Sequence, residues 1–154
     1  MARLKSELLI TQSLVDRLMD VDQWPDTRAT SLAMYRDALK RDVEWLLNTR
    51  QAIIPGIDGY PGVSASIVNY GLPDIHSYDG SAGKDTGALT AAIEKCIRTH
   101  EPRIRNPKVF LSRTDTLNRS IKFHIEGLLR YENTEEEIKF DTVLELISGE
   151  YEVK

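Results

Sequence analysis

A single cysteine stands among the 154 residues of this chain. With Cys96 alone no intramolecular disulfide can form, which fits a reducing compartment. Histidine is scarce as well: His76, His100 and His124 fall in an expected loop, a helix end and a strand, and none belongs to an HxxxH or HExxH pair. No metal site and no cofactor are therefore expected. Neither GxxxxGK(S/T) nor GxGxxG occurs, and Gly80-Ser81-Ala82-Gly83-Lys84 follows no apolar strand, so it reads as a flexible loop rather than a phosphate cradle. The GxSxG turn of a serine nucleophile is missing, and Cys96 lies on the apolar face of an expected helix, where a thiol behaves as a small hydrophobe. Long hydrophobic runs are absent too. Nothing approaches the ~20 apolar residues that cross a bilayer, and Lys5, Glu7, Gln12 and Asp16 break up any signal-peptide core at the start. A cytoplasmic protein without direct membrane insertion is expected. There is no basic excess: 20 Lys and Arg against 24 Asp and Glu leave a net charge of -4, which argues against a general nucleic-acid binder. A local basic patch from Arg98, Arg103, Arg105, Lys108 and Arg113 remains open.

What is present points to one α+β domain of modest size, N-terminal helices packed on a small C-terminal antiparallel sheet. Residues 1–28 read as an N-terminal helix and connection, and 29–154 as the single domain. Ser13–Leu18 is expected to be a short helix whose apolar side chains need a surface. Leu32, Tyr35, Leu39, Val43, Leu46 and Leu47 form a stripe down a helix over Ser31–Arg50, capped by Thr30 or Ser31, with Trp45 off the stripe. Ile53–Gly62 is a turn-rich connection, Ala65–Tyr70 a brief helical element ended by Gly71, and Pro73–Gly83 a mobile loop. A second amphipathic helix follows, capped by Asp85 or Thr86, with Leu89, Ala92, Ile93, Cys96 and Ile97 on its buried face. After it the period changes to two. A short strand over Lys108–Ser112, a polar hairpin loop over Arg113–Arg119, a strand alternating Ile121, Phe123 and Ile125 with Lys122, His124 and Glu126, an acidic turn over Asn133–Glu137, and a long strand over Ile138–Ile147 complete the sheet. Ser148-Gly149 turns the chain, and Tyr151 and Val153 start a final short strand.

Two places carry candidate chemistry. The first is the joint between the second amphipathic helix and the sheet, Glu101-Pro102-Arg103 followed by Arg105. Pro102 ends the helix, and Pro107 is a second stop before the strand. An Arg guanidinium on such a fixed corner could grip a carboxylate or carbonyl of another chain; solvated charges at a helix end are the plainer reading. The second is the long strand, where Val143, Glu145 and Ile147 lie on the outer face. It runs past the reach of the short first strand, and an edge with free backbone groups accepts a strand from a partner. As carboxylates for glycan hydrolysis, Glu101, Glu126 and Asp141 qualify by type alone. Glu126 and Asp141 sit on solvated strand faces and Glu101 beside arginines, none of them an apolar pocket suited to a general acid.

Six ordered blocks carry a resemblance: Leu14–Leu18, Arg41–Arg50, Ser66–Asp74, Glu101–Ile104, Phe123–Gly127 and Phe140–Leu144. Together they resemble the TssE family, the baseplate subunit of the bacterial type VI secretion system, related to the wedge protein of contractile phage tails and often labelled "lysozyme-like". The match spans nearly the whole chain and departs mainly in the Pro73–Gly83 loop. The resemblance implies a structural role and no enzyme activity. It implies partners in the cytoplasmic wedge, TssF, TssG and TssK, and in the sheath of TssB and TssC. On this resemblance Glu101, Pro102 and Arg103 correspond to a motif that helps hold baseplate and sheath together, and the terminal strands template the first sheath ring. Charge reversal at Arg103 is then expected to abolish association while leaving the monomer folded. A phage-tail component, a muramidase and a regulatory adaptor of the same fold are the alternatives.

Overall fold

A computed structural model of the chain describes residues 9–19, 25–73, 85–115, 120–145 and 148–154. The chain forms two compact units, Met1–Asp42 and Val43–Lys154. The first holds α1, Leu14–Leu18, and most of α2, Arg28–Asn48. Ser13 caps α1, its hydroxyl accepting the Asp16 N–H at 3.2 Å. The cap of α2 is Thr27, whose Oγ1 accepts the Thr30 N–H at 3.1 Å, not Thr30 or Ser31. Ser31 is fully buried inside the helix, and its hydroxyl accepts the Ile10 N–H at 3.0 Å. The Gln12 side chain donates to the carbonyls of Ile10 and Ser31, each at 3.2 Å, so the segment before α1 is pinned to the first turn of α2. Asp16 pairs with Arg41, which also holds Asp42 at 2.8 Å. Leu14, Leu18 and Met19 stay exposed.

In the second unit the end of α2 buries Val43, Leu46 and Leu47. The chain then leaves and returns. The Gln51 N–H donates to the Leu72 carbonyl and the Leu72 N–H to the Thr49 carbonyl, both at 2.8 Å. Gly71 makes this crossing possible: its φ is 104°, and a Cβ there would run into the Thr49 carbonyl. The loop between is more ordered than its glycines and prolines suggest. It contains 3-10 turns at Ile57–Gly59 and Ile67–Asn69 and a short helix α3, Pro61–Ser64, with Pro61 at the first helical position that suits it. Apart from Pro73, the loop expected over 73–83 lies outside the described residues. Next comes α4, Asp85–His100, which buries Leu89, Ile93, Cys96 and Ile97 as its spacing predicts and lies against β1, Ile104–Asp115.

The sheet is an antiparallel meander in the order β1, β2 (Ser120–Tyr131), β3 (Thr134–Glu145) and β4 (Tyr151–Val153). The α+β arrangement, the alternation in β2 and β3 and the final short strand are as expected. Ile121, Phe123, Ile125, Ile138, Phe140, Thr142 and Leu144 point into the core; Leu146 and Ile147 lie outside the described residues. Two expectations fail. β1 spans 12 residues, with Pro107 buried inside it at a bulge between Arg105 and Lys108 where Asn106 takes φ 49°. Proline is tolerated there because β1 is an edge, and a bulge needs one ladder bond fewer. The turn before β3 is only Glu132-Asn133, with Glu132 at φ 52°. Glu135, Glu136 and Glu137 belong to β3 and pair with Arg130, Leu129 and Leu128.

Candidate functional site

The charged joint is built by the end of α4 and the first residues of β1. The Glu101 N–H still donates to the Ile97 carbonyl at 2.9 Å, and the Ile104 N–H returns to the Glu101 carbonyl at 3.1 Å, so the chain reverses around an exposed Pro102. The Arg103 carbonyl accepts the Arg130 N–H at 2.8 Å, which fastens the corner to the end of β2. Glu101 is only 6% exposed. Arg103 grips its carboxylate through both arms of the fork, Nε to Oε1 at 2.7 Å and Nη2 to Oε2 at 2.5 Å, and the Arg103 backbone N–H adds a bond to Oε1 at 3.2 Å. The fork expected to reach another chain therefore holds this one's own glutamate, and the corner is a locked shape. Arg105 extends away and pairs with Glu135 of β3 at 2.9 Å, an exposed pair that contributes little to stability.

The sheet margin differs from its expected form. The Asp141 carbonyl accepts the Lys154 N–H at 2.7 Å, the Glu145 N–H donates to the Glu150 carbonyl at 2.9 Å, and Val143 pairs with Glu152. Val143 and Glu145, expected on an open edge, thus lie where β4 covers β3, and Ile147 falls outside the described residues. The open part is the other half, Thr134–Phe140. Backbone groups in a strand alternate sides, so Glu135, Glu137 and Lys139, which share parity with Asp141, aim their N–H and C=O groups outward. Among the described residues no strand lies beside them.

The outer edge of β4 is closed by side chains that the sequence reading did not single out. The Asn48 amide accepts the Tyr151 N–H and donates to the Tyr151 carbonyl, both at 2.8 Å, and the Glu44 carboxylate accepts the Val153 N–H at 3.1 Å. A primary amide carries donor and acceptor side by side, as a neighbouring strand would. The β1 edge resists pairing differently, through Pro107 and register shifts at Arg105/Lys108 and Leu111/Arg113. A further surface lies on the segment between α2 and α4. Between Gln51 and Pro73 the only charge is Asp58, and Ile53, Tyr60 and Ile67 are 92%, 67% and 84% exposed.

The three carboxylates weighed for glycan hydrolysis do not share a cleft. Glu101 is enclosed at the corner. Glu126 on the outer face bonds Lys139 at 2.9 Å, and that ammonium holds its carboxyl below the usual range, the opposite of a general acid. Asp141, largely exposed, accepts from His124 Nδ1 at 2.7 Å. A cavity of about 670 Å³ opens between the end of α2, Leu72-Pro73 and the β3–β4 turn, lined by Glu44, Asn48, Arg50, Glu145 and Tyr151, but by none of the three. The Cys96 thiol donates to the Gly71 carbonyl at 3.2 Å, and burial pushes it up to about 12. Among the described residues no His, Cys, Asp and Glu side chains gather as a metal site requires, and no helix is long and apolar enough to cross a membrane.

Fold and site together define a class: an α+β protein whose Glu101–Arg103 corner is closed on itself and whose β3 margin is, among the described residues, covered by β4 along only part of its length. The sequence profile of the family described as "Baseplate wedge protein gp25" matches residues 33–134, about two-thirds of the chain. This chain belongs to that baseplate wedge family, which is also the family of TssE. Membership carries a structural role in a baseplate, in assembly with other baseplate subunits. The matched span includes the Glu101–Arg105 corner, β1 and β2, and ends where β3 begins. No curated protein matches the chain.

Proposed function

We propose that the chain is a wedge subunit in the baseplate of a type VI secretion system, where it joins the wedge proteins TssF, TssG and TssK to a TssB/TssC sheath. It works on the cytoplasmic side, as part of a membrane-docked apparatus, and helps start the sheath by adding an incoming strand to its sheet. The observation that carries this reading is the unequal closure of the sheet. Among the described residues β1 is bulged at two places, β4 is capped by α2 side chains, and Thr134–Phe140 of β3 is left as an unbroken open stretch. A strand left open on one stretch, with the rest protected, suits pairing with a chosen partner. The locked Glu101–Arg103 corner supports the wedge contact as a rigid shape presenting Pro102, with Arg105 beside it. The uncharged, exposed surface of Ile53, Tyr60 and Ile67 supports contact with a second wedge protein.

Glu137→Pro tests the strand addition. Proline there removes an outward N–H that β3 does not use among the described residues, so the fold is expected to be retained while the ladder is interrupted. In cells carrying a fluorescent sheath subunit, the expected result is normal protein level and loss of sheath assembly. Sheaths at wild-type number and length would overturn the proposal.

A further inference from the structure

We infer that α1 is a displayed ligand, and that Leu14, Val15 and Leu18, with Met19 at its C-cap, seat in an apolar groove of another protein. A surface helix ordinarily turns its apolar side chains to the body of the molecule and its polar ones to water. Here the two are exchanged. At about 100° per residue the four apolar side chains share one arc of about 140°. They are 68%, 45%, 74% and 66% exposed in chain order, and no residue of α1 is buried. On the other side, the Asp16 side chain is only 15% exposed and pairs with Arg41 of α2. Gln12, just before the helix, is 8% exposed and donates to the Ile10 and Ser31 carbonyls. The polar groups thus fasten the segment to α2, and the Ser13 hydroxyl caps it. The apolar face is held outward, in place before any partner arrives.

A groove is the occupant that this shape suits. Five residues span about 7.5 Å, so two copies meeting face to face through α1 would bury far less than the roughly 1,200 Å² of a specific interface. A groove encloses the same side chains on several sides and desolvates each fully, the condition under which anchors carry binding. Leu14–Leu18 and Val15–Met19 have the i, i+4 spacing by which such grooves read a helix. A bilayer surface is a poor match. An interfacial helix carries basic residues around a long apolar face, whereas Asp16, Asp20 and Asp22 stand against Arg17 alone between positions 16 and 22. Arg17 falls at the edge of the apolar arc beside Leu14, so the rim of the groove at that flank is polar. The contact is separate from the β3 edge and stands whether or not a strand is added there. It also precedes residues 33–134, the span that the family profile matches.

The test keeps the full chain in the cells that make it and places a photo-crosslinker at the edge of the face, Met19→p-benzoylphenylalanine. The control is Asp37→p-benzoylphenylalanine, at an exposed position of α2. Adducts are located by mass spectrometry. The expected result is an adduct at position 19, absent at position 37, to a second protein whose linked segment is lined by Leu, Ile, Val, Met or Phe. Adding Leu14→Ser/Leu18→Ser is expected to lower its yield at least about tenfold, since a few seated anchors carry most of a contact. The urea midpoint of the purified double variant is expected to match the wild type, because both side chains already stand in water. An adduct to lipid, to a second copy or to another segment of the same chain overturns the inference. So does a polar linked segment, a yield that the double variant leaves at the wild-type level, or the absence of any adduct. A fall in the urea midpoint of the double variant would mean that Leu14 and Leu18 pack inside the fold, and would overturn it too.

Discussion

At the level of single residues the corner behaves differently from a surface ion pair. Arg103 satisfies a carboxylate that is 6% exposed, and removing one member of a buried pair leaves an uncompensated charge. Arg103→Ala is expected to cost about 3 kcal/mol, measurable as a lowered urea midpoint with unchanged slope. Charge reversal at Arg103, which the sequence suggests as a clean test of partner binding, would instead set two carboxylates together and destabilise the monomer. Cys96 gives a prediction in pH. Its thiol rises to about 12 in the fold, against ~8.5 in an unfolded chain. A folded value above the unfolded one stabilises fully below ~8.5, and the contribution is lost as pH climbs through that window. Unfolding midpoints should therefore fall between pH 8 and 12 less steeply in Cys96→Ala than in the wild type, and a thiol reagent at neutral pH should react only as the protein unfolds. That Cys96 is a buried hydrophobe was legible from helical spacing. That Arg103 turns inward was not, because sequence proximity to Glu101 does not say which way either side chain points.

At the level of elements, β4 is only three residues long and needs support on both sides. On one side it has β3, on the other the Asn48 and Glu44 side chains. Asn48→Ala leaves the N–H and carbonyl of Tyr151 without those bonds, and Tyr151 is 3% exposed. The expected cost is about 1–3 kcal/mol, with amide exchange at Tyr151 and Val153 accelerated well before the centre of β2 is affected. Here too legibility was uneven. α4, β2 and β3 could be read directly, since a buried stripe and a strict alternation are local properties. The full span of β1 could not, because Pro107 reads as a stop until a bulge on an edge strand is known to accommodate it. The glutamates of β3 read as a turn because charge at an open edge looks the same in sequence as charge in a loop.

At the level of the whole molecule, membership of the baseplate wedge family carries a structural role in an assembly. Glu101, Glu126 and Asp141 are each held by a basic partner, and none of them lines the 670 Å³ cavity. The purified chain is expected not to turn over peptidoglycan, and Glu126→Gln and Asp141→Asn to leave any background rate unchanged. Turnover that disappears with either substitution would contradict a purely structural role.

The sequence alone determined the class of fold, the buried faces of the second amphipathic helix and the two central strands, and the family, because periodicity and ordered blocks of residues are written along the chain. It could not determine which stretch of sheet stays open. That depends on Asn48 meeting Tyr151 across 103 positions, on a bulge absorbing Pro107, and on a three-residue strand covering half of β3. Each is a contact between segments whose distance in space is unrelated to their distance in sequence.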